Sequence, residues 1–310
     1  MPTAALLGST VDERDRPVGA DRTLPTIHHR VRTTLGTIAV TEVGLGDKAH
    51  RPTVVMLHGG GPGASGWSNF AQNLPELSRH FRILLPDQPG FGDSYRPTES
   101  DLLDRSITDI TADAMLQVFR QLDVESFDLV GNSLGGAAAL RLALLEPGRA
   151  RRLVLLAPGG GWLPVRGAPT EGQRAMARYH QDGPNPEAWR RFIRTMVADP
   201  RRLDPALVLD RYEASIEPTH AEFYQHYHAA FGRRGGMDPL WRDLDRIAAP
   251  TLLLWGRDDR TITLDGAQAM LNQIPDVRLH VFGRCGHWVQ VERQREFDRL
   301  AVDFLTEESP

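Results

Sequence analysis

A single cysteine, Cys285, in a chain of 310 residues excludes an intramolecular disulfide and offers no thiolate cluster for a metal. No stretch supplies the roughly eighteen consecutive apolar residues of a membrane span. Positive charge is not in excess. The formal net charge is -4 and the basic residues are dispersed, which argues against a nucleic-acid-binding surface. The first 25 residues lack the apolar core of a signal peptide. They carry instead Asp12, Glu13, Arg14, Asp15, Arg16, Asp21 and Arg22, the composition of a solvated tail or arm. A protein that neither enters a membrane nor binds nucleic acid is expected, cytoplasmic by default. Internal repeats and low-complexity tracts are missing too. A hydrophobic content of 41% is enough to bury a substantial core, in one domain with an insertion or in two domains.

What is present is organised around Phe127 to Leu145, FDLVGNSLGGAAALRLALL. Phe127-Asp128-Leu129-Val130 reads as a strand, and the Ala- and Leu-rich segment from Ala137 to Leu145 as a helix. Between them lies Gly131-Asn132-Ser133-Leu134-Gly135. A G-x-S-x-G turn between strand and helix fits a nucleophile elbow, in which small flanking residues let the chain fold sharply beneath an exposed serine hydroxyl. Ser133 is the candidate nucleophile.

Further apolar runs at 53–57, 81–85, 153–157, 251–255 and 277–282 read as strands, most of them covered on both faces. Residues 28–43 suit an edge hairpin around Gly36. Helices are expected at 67–77, 105–122, 264–273 and 291–305. Alternating strands and helices predict a mostly parallel sheet with helices on both faces, whose loops at 58–63, 86–92, 131–135 and 158–161 converge at the carboxyl ends of the strands. Residues 162–248 break the rhythm, with helical segments at 171–181, 187–197, 205–214 and 219–231 set off by prolines and no clear strand. The expected organisation is an N-terminal arm over 1–27, a core over 28–161 and 249–310, and a helical lid over 162–248, inserted after the sixth strand.

A serine hydroxyl needs a base, and the base needs an orienting acceptor. His287 and an aspartate, Asp258 or Asp259, both fall at predicted strand ends, and the order Ser, Asp, His is that of α/β-hydrolase triads. Their adjacency leaves the choice of aspartate open. Backbone N–H groups from Leu134 and from Gly59-Gly60-Gly61 would stabilise an oxyanion. His58 reads as a brace for its loop, Cys285 as small-residue packing, and His220, His226 and His228 as side chains of the lid rather than metal ligands.

With these residues placed, the chain resembles the meta-cleavage-product hydrolases, α/β-hydrolases that cut a carbon-carbon bond in the ring-fission products of catechols. The motifs that carry the resemblance are LHGGGPGASGWSNF at 57–70, DQPGFGDS at 87–94, LVGNSLGG at 129–136, WGRDDR at 255–260 and LHVFGRCGHWVQVE at 279–292. It implies a triad of Ser133, Asp259 and His287 and oxyanion-hole amides from Gly60 and Leu134. It also implies a substrate site containing Asn69, Asn132, Arg211 and Trp288. The reaction it implies takes a dienol carboxylate substrate and needs no metal or organic cofactor, and members commonly form homodimers or homotetramers. Two other function classes share these residues in part: a carboxylesterase with the same triad, and a ligand-binding protein that has kept the fold without catalysis.

Overall fold

Alternation along the central strands sorts their side chains into two cores. In the computed structural model, which describes residues 24–44, 51–161 and 168–307, Val55, Leu57, Leu129, Leu153, Leu155, Leu253 and Trp255 face one side of the sheet. Val54, Met56, Val130, Val154, Leu156, Leu252 and Leu254 face the other. Period-two side-chain direction turns each continuous apolar run into a strand buried on both faces.

Eight strands form one sheet: β1 (Thr26–Arg32), β2 (Thr37–Val43), β3 (Thr53–Leu57), β4 (Arg82–Pro86), β5 (Phe127–Asn132), β6 (Ala150–Leu156), β7 (Thr251–Gly256) and β8 (Val277–Phe282), in the spatial order β1-β2-β4-β3-β5-β6-β7-β8. The β1–β2 and β2–β4 pairs are antiparallel and the rest parallel. From β3 the chain moves outward to β4 and then returns to place β5 on the opposite side of β3. That reversal opens a crevice at the carboxyl ends of β3 and β5, the place where such sheets bind ligands.

Twelve α-helices fall in the described residues: α1 (Gly66–Phe70), α2 (Leu74–Leu77), α3 (Glu99–Asp104), α4 (Ile107–Gln121), α5 (Leu134–Leu145), α6 (Glu171–Gln181), α7 (Pro186–Met196), α8 (Pro205–Ser215), α9 (Pro218–Arg233), α10 (Asp265–Gln273), α11 (Val289–Glu292) and α12 (Gln294–Thr306). α4, α5 and α10 cover the first core, and α1, α2 and α12 the second. Between β6 and β7 stand α6 to α9, with no strand among the described residues. Three of the prolines that punctuate this region in the sequence prove to be α-helix starts. Pro186, Pro205 and Pro218 lie in the first turns of α7, α8 and α9, behind the capping side chains of Asn185, Asp204 and Glu217.

Two expected helices are broken. The one at 67–77 divides into α1 and α2 around a 3₁₀ turn at Ala71–Asn73, because Pro75 lacks the N–H that would continue the ladder. The one at 291–305 divides into α11 and α12 at Arg293, where φ is -126° and ψ 39°. The short helix α3 was not anticipated. The arm expected over 1–27 lies almost wholly outside the described residues, and Thr26 and Ile27 belong to β1.

Candidate active site

β5 ends in a turn at Ser133, whose φ of 56° and ψ of -113° are unusual for a side-chain-bearing residue. The glycines beside it are required by contact distance. A Cβ on Gly131 would lie 2.6 Å from the Gly135 carbonyl oxygen, and one on Gly135 would lie 2.1 Å from that of Leu57. The helix therefore presses directly on β3 and β5. It begins at Leu134, three residues earlier than composition suggests, so the positive end of its dipole meets the turn. The loop after β3 lies against the same turn. A Cβ on Gly59 would meet Asn132 Oδ1 at 3.0 Å, and one on Gly60 would meet Leu134 Cδ2 at 2.7 Å.

Asp259 and His287 come together from the loops after β7 and β8. Asp259 Oδ2 is 2.7 Å from His287 Nδ1, and both residues are buried. Asp259 Oδ1 accepts from the N–H groups of Thr261 (2.7 Å) and Ile262 (2.9 Å), so the carboxylate is held on both oxygens. The bond fixes the imidazole with its proton on Nδ1 and leaves Nε2 as the basic nitrogen. Asp258 instead pairs with Arg257 at 3.1 Å, its side chain 40% exposed. The aspartate that bonds the histidine is Asp259.

Arg211, on α8, is buried, and burial lowers its pKa to about 10. Its guanidinium lies 4.5 Å over the Trp288 ring, and Nη2 donates to the Pro62 carbonyl at 3.2 Å. Nε is buried without a partner, and among the described residues no carboxylate pairs with this guanidinium. A Cβ on Gly61 would lie 3.4 Å from Nη2, and the Arg211 backbone presses so closely on Gly63 that a Cβ there would stand 1.9 Å from its carbonyl oxygen. Asn69 is buried with Nδ2 unpartnered, on α1, which packs against α8 and α11. Asn132, at the end of β5, is buried. Its Nδ2 donates to the Leu156 and His287 carbonyls at 3.2 and 3.4 Å, leaving Oδ1 unpartnered beside the glycine loop.

His58 braces the loop as anticipated. Its Nε2 accepts from Gln88 N–H at 2.9 Å, which puts the proton on Nδ1 to donate to the Gly59 carbonyl at 2.8 Å, and burial lowers its pKa to about 4. Cys285 sits in the core with its thiol pushed up by burial. The other histidines are dispersed: His220 Nε2 meets Arg96 at 3.0 Å, whereas His228 lies beside the His180 ring. Among the described residues no group of three or more His, Cys, Asp or Glu could hold a metal ion, and no helix is long and apolar enough to cross a membrane.

Sequence reasoning missed three contributors. The Tyr224 hydroxyl on α9 donates to the Gly61 carbonyl, Met196 at the end of α7 accepts from His287 N–H at 2.8 Å, and Glu292 accepts from Gly286 N–H at 2.6 Å. The lone glutamate in the apolar turn WVQVE is the one signal that could have been noticed.

Comparison with known proteins agrees with this geometry. The alpha/beta hydrolase fold family model matches residues 52–294. A 2-hydroxy-6-oxononadienedioate/2-hydroxy-6-oxononatrienedioate hydrolase from a Pseudomonas species is 36% identical over 87% of this chain and 92% of its own length. A 2-hydroxy-6-oxo-6-phenylhexa-2,4-dienoate hydrolase from Comamonas testosteroni is 38% identical over 81% of this chain and 87% of its own. The solved meta-cleavage product hydrolase of Pseudomonas fluorescens IP01 superposes with a TM-score of 0.77 at 31% identity, covering 89% of this chain and 97% of that one. With its fold, its serine elbow and relatives matched over most of their length, the chain belongs to the meta-cleavage-product hydrolases of the alpha/beta hydrolase fold family.

Proposed function

We propose that this enzyme hydrolyses the carbon-carbon bond of a 2-hydroxy-6-oxohexa-2,4-dienoate-type ring-fission product, releasing a carboxylic acid and a 2-hydroxypenta-2,4-dienoate. The observation that carries this reading is Arg211. A buried guanidinium without a carboxylate is costly unless an anion comes to meet it, and the substrate's carboxylate is that anion. An esterase acting on neutral esters has no use for such a group.

In the proposed mechanism Arg211 and Asn69 hold the carboxylate end, and the dienol converts to its keto form so that the breaking bond has an electron acceptor. His287 Nε2 takes the Ser133 proton as Oγ attacks the distal ketone. The oxyanion develops toward the Gly60 and Leu134 amides at the positive end of α5. Collapse breaks the carbon-carbon bond, its electrons pass into the leaving dienolate, which takes the proton from His287 to become the 2-hydroxypenta-2,4-dienoate, and the neutral His287 then activates the water that frees the acid from Ser133. Asn132 serves chiefly as a brace between the elbow and the histidine turn. Trp288 supports the guanidinium from below.

The helices over 162–248 act as a lid, a reading supported by the contacts of Tyr224 and Met196 with the catalytic loops. The substrate is a small dissolved molecule. Cytoplasmic location and assembly into a homodimer or homotetramer complete the proposal, the latter checked by light scattering.

The test is the bleaching of yellow 2-hydroxy-6-oxo-6-phenylhexa-2,4-dienoate. Loss of colour with recovery of benzoate, abolished in Ser133→Ala, is expected. If this compound and its alkyl and steroid-derived analogues all persist while simple esters are cleaved, the carboxylesterase reading replaces this one.

A further inference from the structure

The mechanism makes no use of Glu292, although its carboxylate is buried beside the site. All three of its backbone partners are donors, and they come from two separate parts of the chain. Oε2 accepts from Gly286 N–H at 2.6 Å, immediately before His287. Oε1 accepts from Ala198 N–H at 2.9 Å and Asp199 N–H at 3.1 Å, in the segment leaving α7. That segment returns to the histidine turn through Met196, whose carbonyl accepts from His287 N–H at 2.8 Å and Trp288 N–H at 3.1 Å. Packing there leaves no slack, since a Cβ on Gly286 would lie 2.8 Å from both Met196 O and Val197 Cα.

We infer that Glu292 is a positioning residue for catalysis, clasping the root of α7 to the histidine turn so that the Nε2 of His287 is held at the angle proton transfer from Ser133 requires. Charge-assisted bonds to main-chain N–H groups are short and directional, and one rigid carboxylate ties the two segments to a common point. Asp259 fixes the ring from its Nδ1 side, and Glu292 fixes the backbone from which that ring projects. The inference rests on His287 being the base for Ser133.

The experiment measures the rate at which a fluorophosphonate probe labels Ser133, a reaction that needs an activated serine but no dienoate. It uses the full-length wild type, Glu292→Gln, His287→Ala and Leu305→Ala, the last a core change on α12 remote from the turn. Glu292→Gln should label roughly 10- to 100-fold more slowly, as a misplaced base would. Leu305→Ala should lose thermal stability and keep the wild-type labelling rate. On the phenyl dienoate, kcat of Glu292→Gln should fall while KM moves less than about threefold, because Arg211 and Asn69 are untouched.

Labelling of folded Glu292→Gln at the wild-type rate, or equal slowing in Leu305→Ala, overturns the inference. If Glu292→Gln yields no soluble protein, Glu292→Asp decides by the same criterion, its shorter arm reaching one segment but not both. Labelling of His287→Ala at the wild-type rate would remove the assigned base and the clasp with it. Failure of the wild type to bleach the dienoate, with labelling behaving as described, would overturn the substrate and leave the clasp standing.

Discussion

Asp259 Oδ2 and His287 Nδ1 stand 2.7 Å apart, while the neighbouring Asp258 turns outward to Arg257. Two adjacent aspartates thus have separable roles. Asp259→Asn should lower kcat by roughly 10⁴-fold, because the amide no longer stabilises the imidazolium or enforces its tautomer. Asp258→Asn should keep kcat within about twofold of wild type, since surface ion pairs contribute little. Steady-state bleaching assays on the two variants check both halves.

Replacing Arg211 separates carbon-carbon hydrolysis from ester hydrolysis. Arg211→Gln should reduce kcat/KM for the dienoate by roughly 10- to 100-fold, the worth of a lost charge-assisted hydrogen bond. Hydrolysis of a neutral p-nitrophenyl ester should change far less. Equal losses on both substrates would show that Arg211 maintains the fold rather than holding a carboxylate.

The same arginine sets an alkaline limit. Burial lowers its pKa from the ordinary 12.5 to about 10, so the charged form prevails below that value and is lost as pH rises through it. KM for the dienoate should therefore rise above about pH 10. Any KM rise for a neutral ester over the same range should be absent. A pH series of initial rates on both substrates, with stability monitored alongside, tests this.

Acid should destabilise the fold through its buried neutral histidines. Burial lowers His58 and His228 to about 4 and His180 to about 3, each from 6.5. The unfolded chain therefore binds more protons from about pH 6.5 downward, and stability contributed by these groups falls as pH drops toward 4. Asp298 acts in the opposite sense, because burial raises it from 3.8 to about 7 and its contribution falls as pH rises through that interval. Asp298→Asn should accordingly gain thermal stability at pH 8 relative to wild type and lose that advantage at pH 4. Melting temperatures of the pair across pH 4 to 8 read out the difference.

The glycines of the elbow should not tolerate even a methyl group. Gly135→Ala would drive its Cβ against backbone atoms of Leu57 and should destabilise the protein by more than about 3 kcal/mol. Nothing lies within 4 Å of a Cβ built on Gly148, so Gly148→Ala should be neutral or stabilising by up to about 1 kcal/mol. Urea denaturation of the two variants gives the comparison.

The core of the fold was legible because its signals are local. Apolar runs mark β3, β4, β6 and β7, and a serine between glycines, after the short strand β5 and before an Ala- and Leu-rich segment, has few other uses. The Asp258–Asp259 choice was closed to bottom-up reading because adjacent residues differ only in which way the loop turns them. The bonds of Asn132 are not legible in the sequence, since its partners Leu156 and His287 lie far along the chain. Glu292 was overlooked for the same reason: a buried carboxylate held only by main-chain N–H groups leaves no trace in the identity of its partners.

The bond from Asn132 to the His287 carbonyl joins residues 155 positions apart, across the helical excursion between β6 and β7. Ribosomal synthesis therefore delivers the elbow and its glycine loop long before the aspartate and the histidine exist. Until β7 and β8 add to the exposed edge of β6, the nascent chain holds the Ser133 elbow without Asp259 and His287, and a sheet edge rich in leucine and valine. The site is complete only once the turn after β8 has been made, and until then that open edge is a place where another chain can pair.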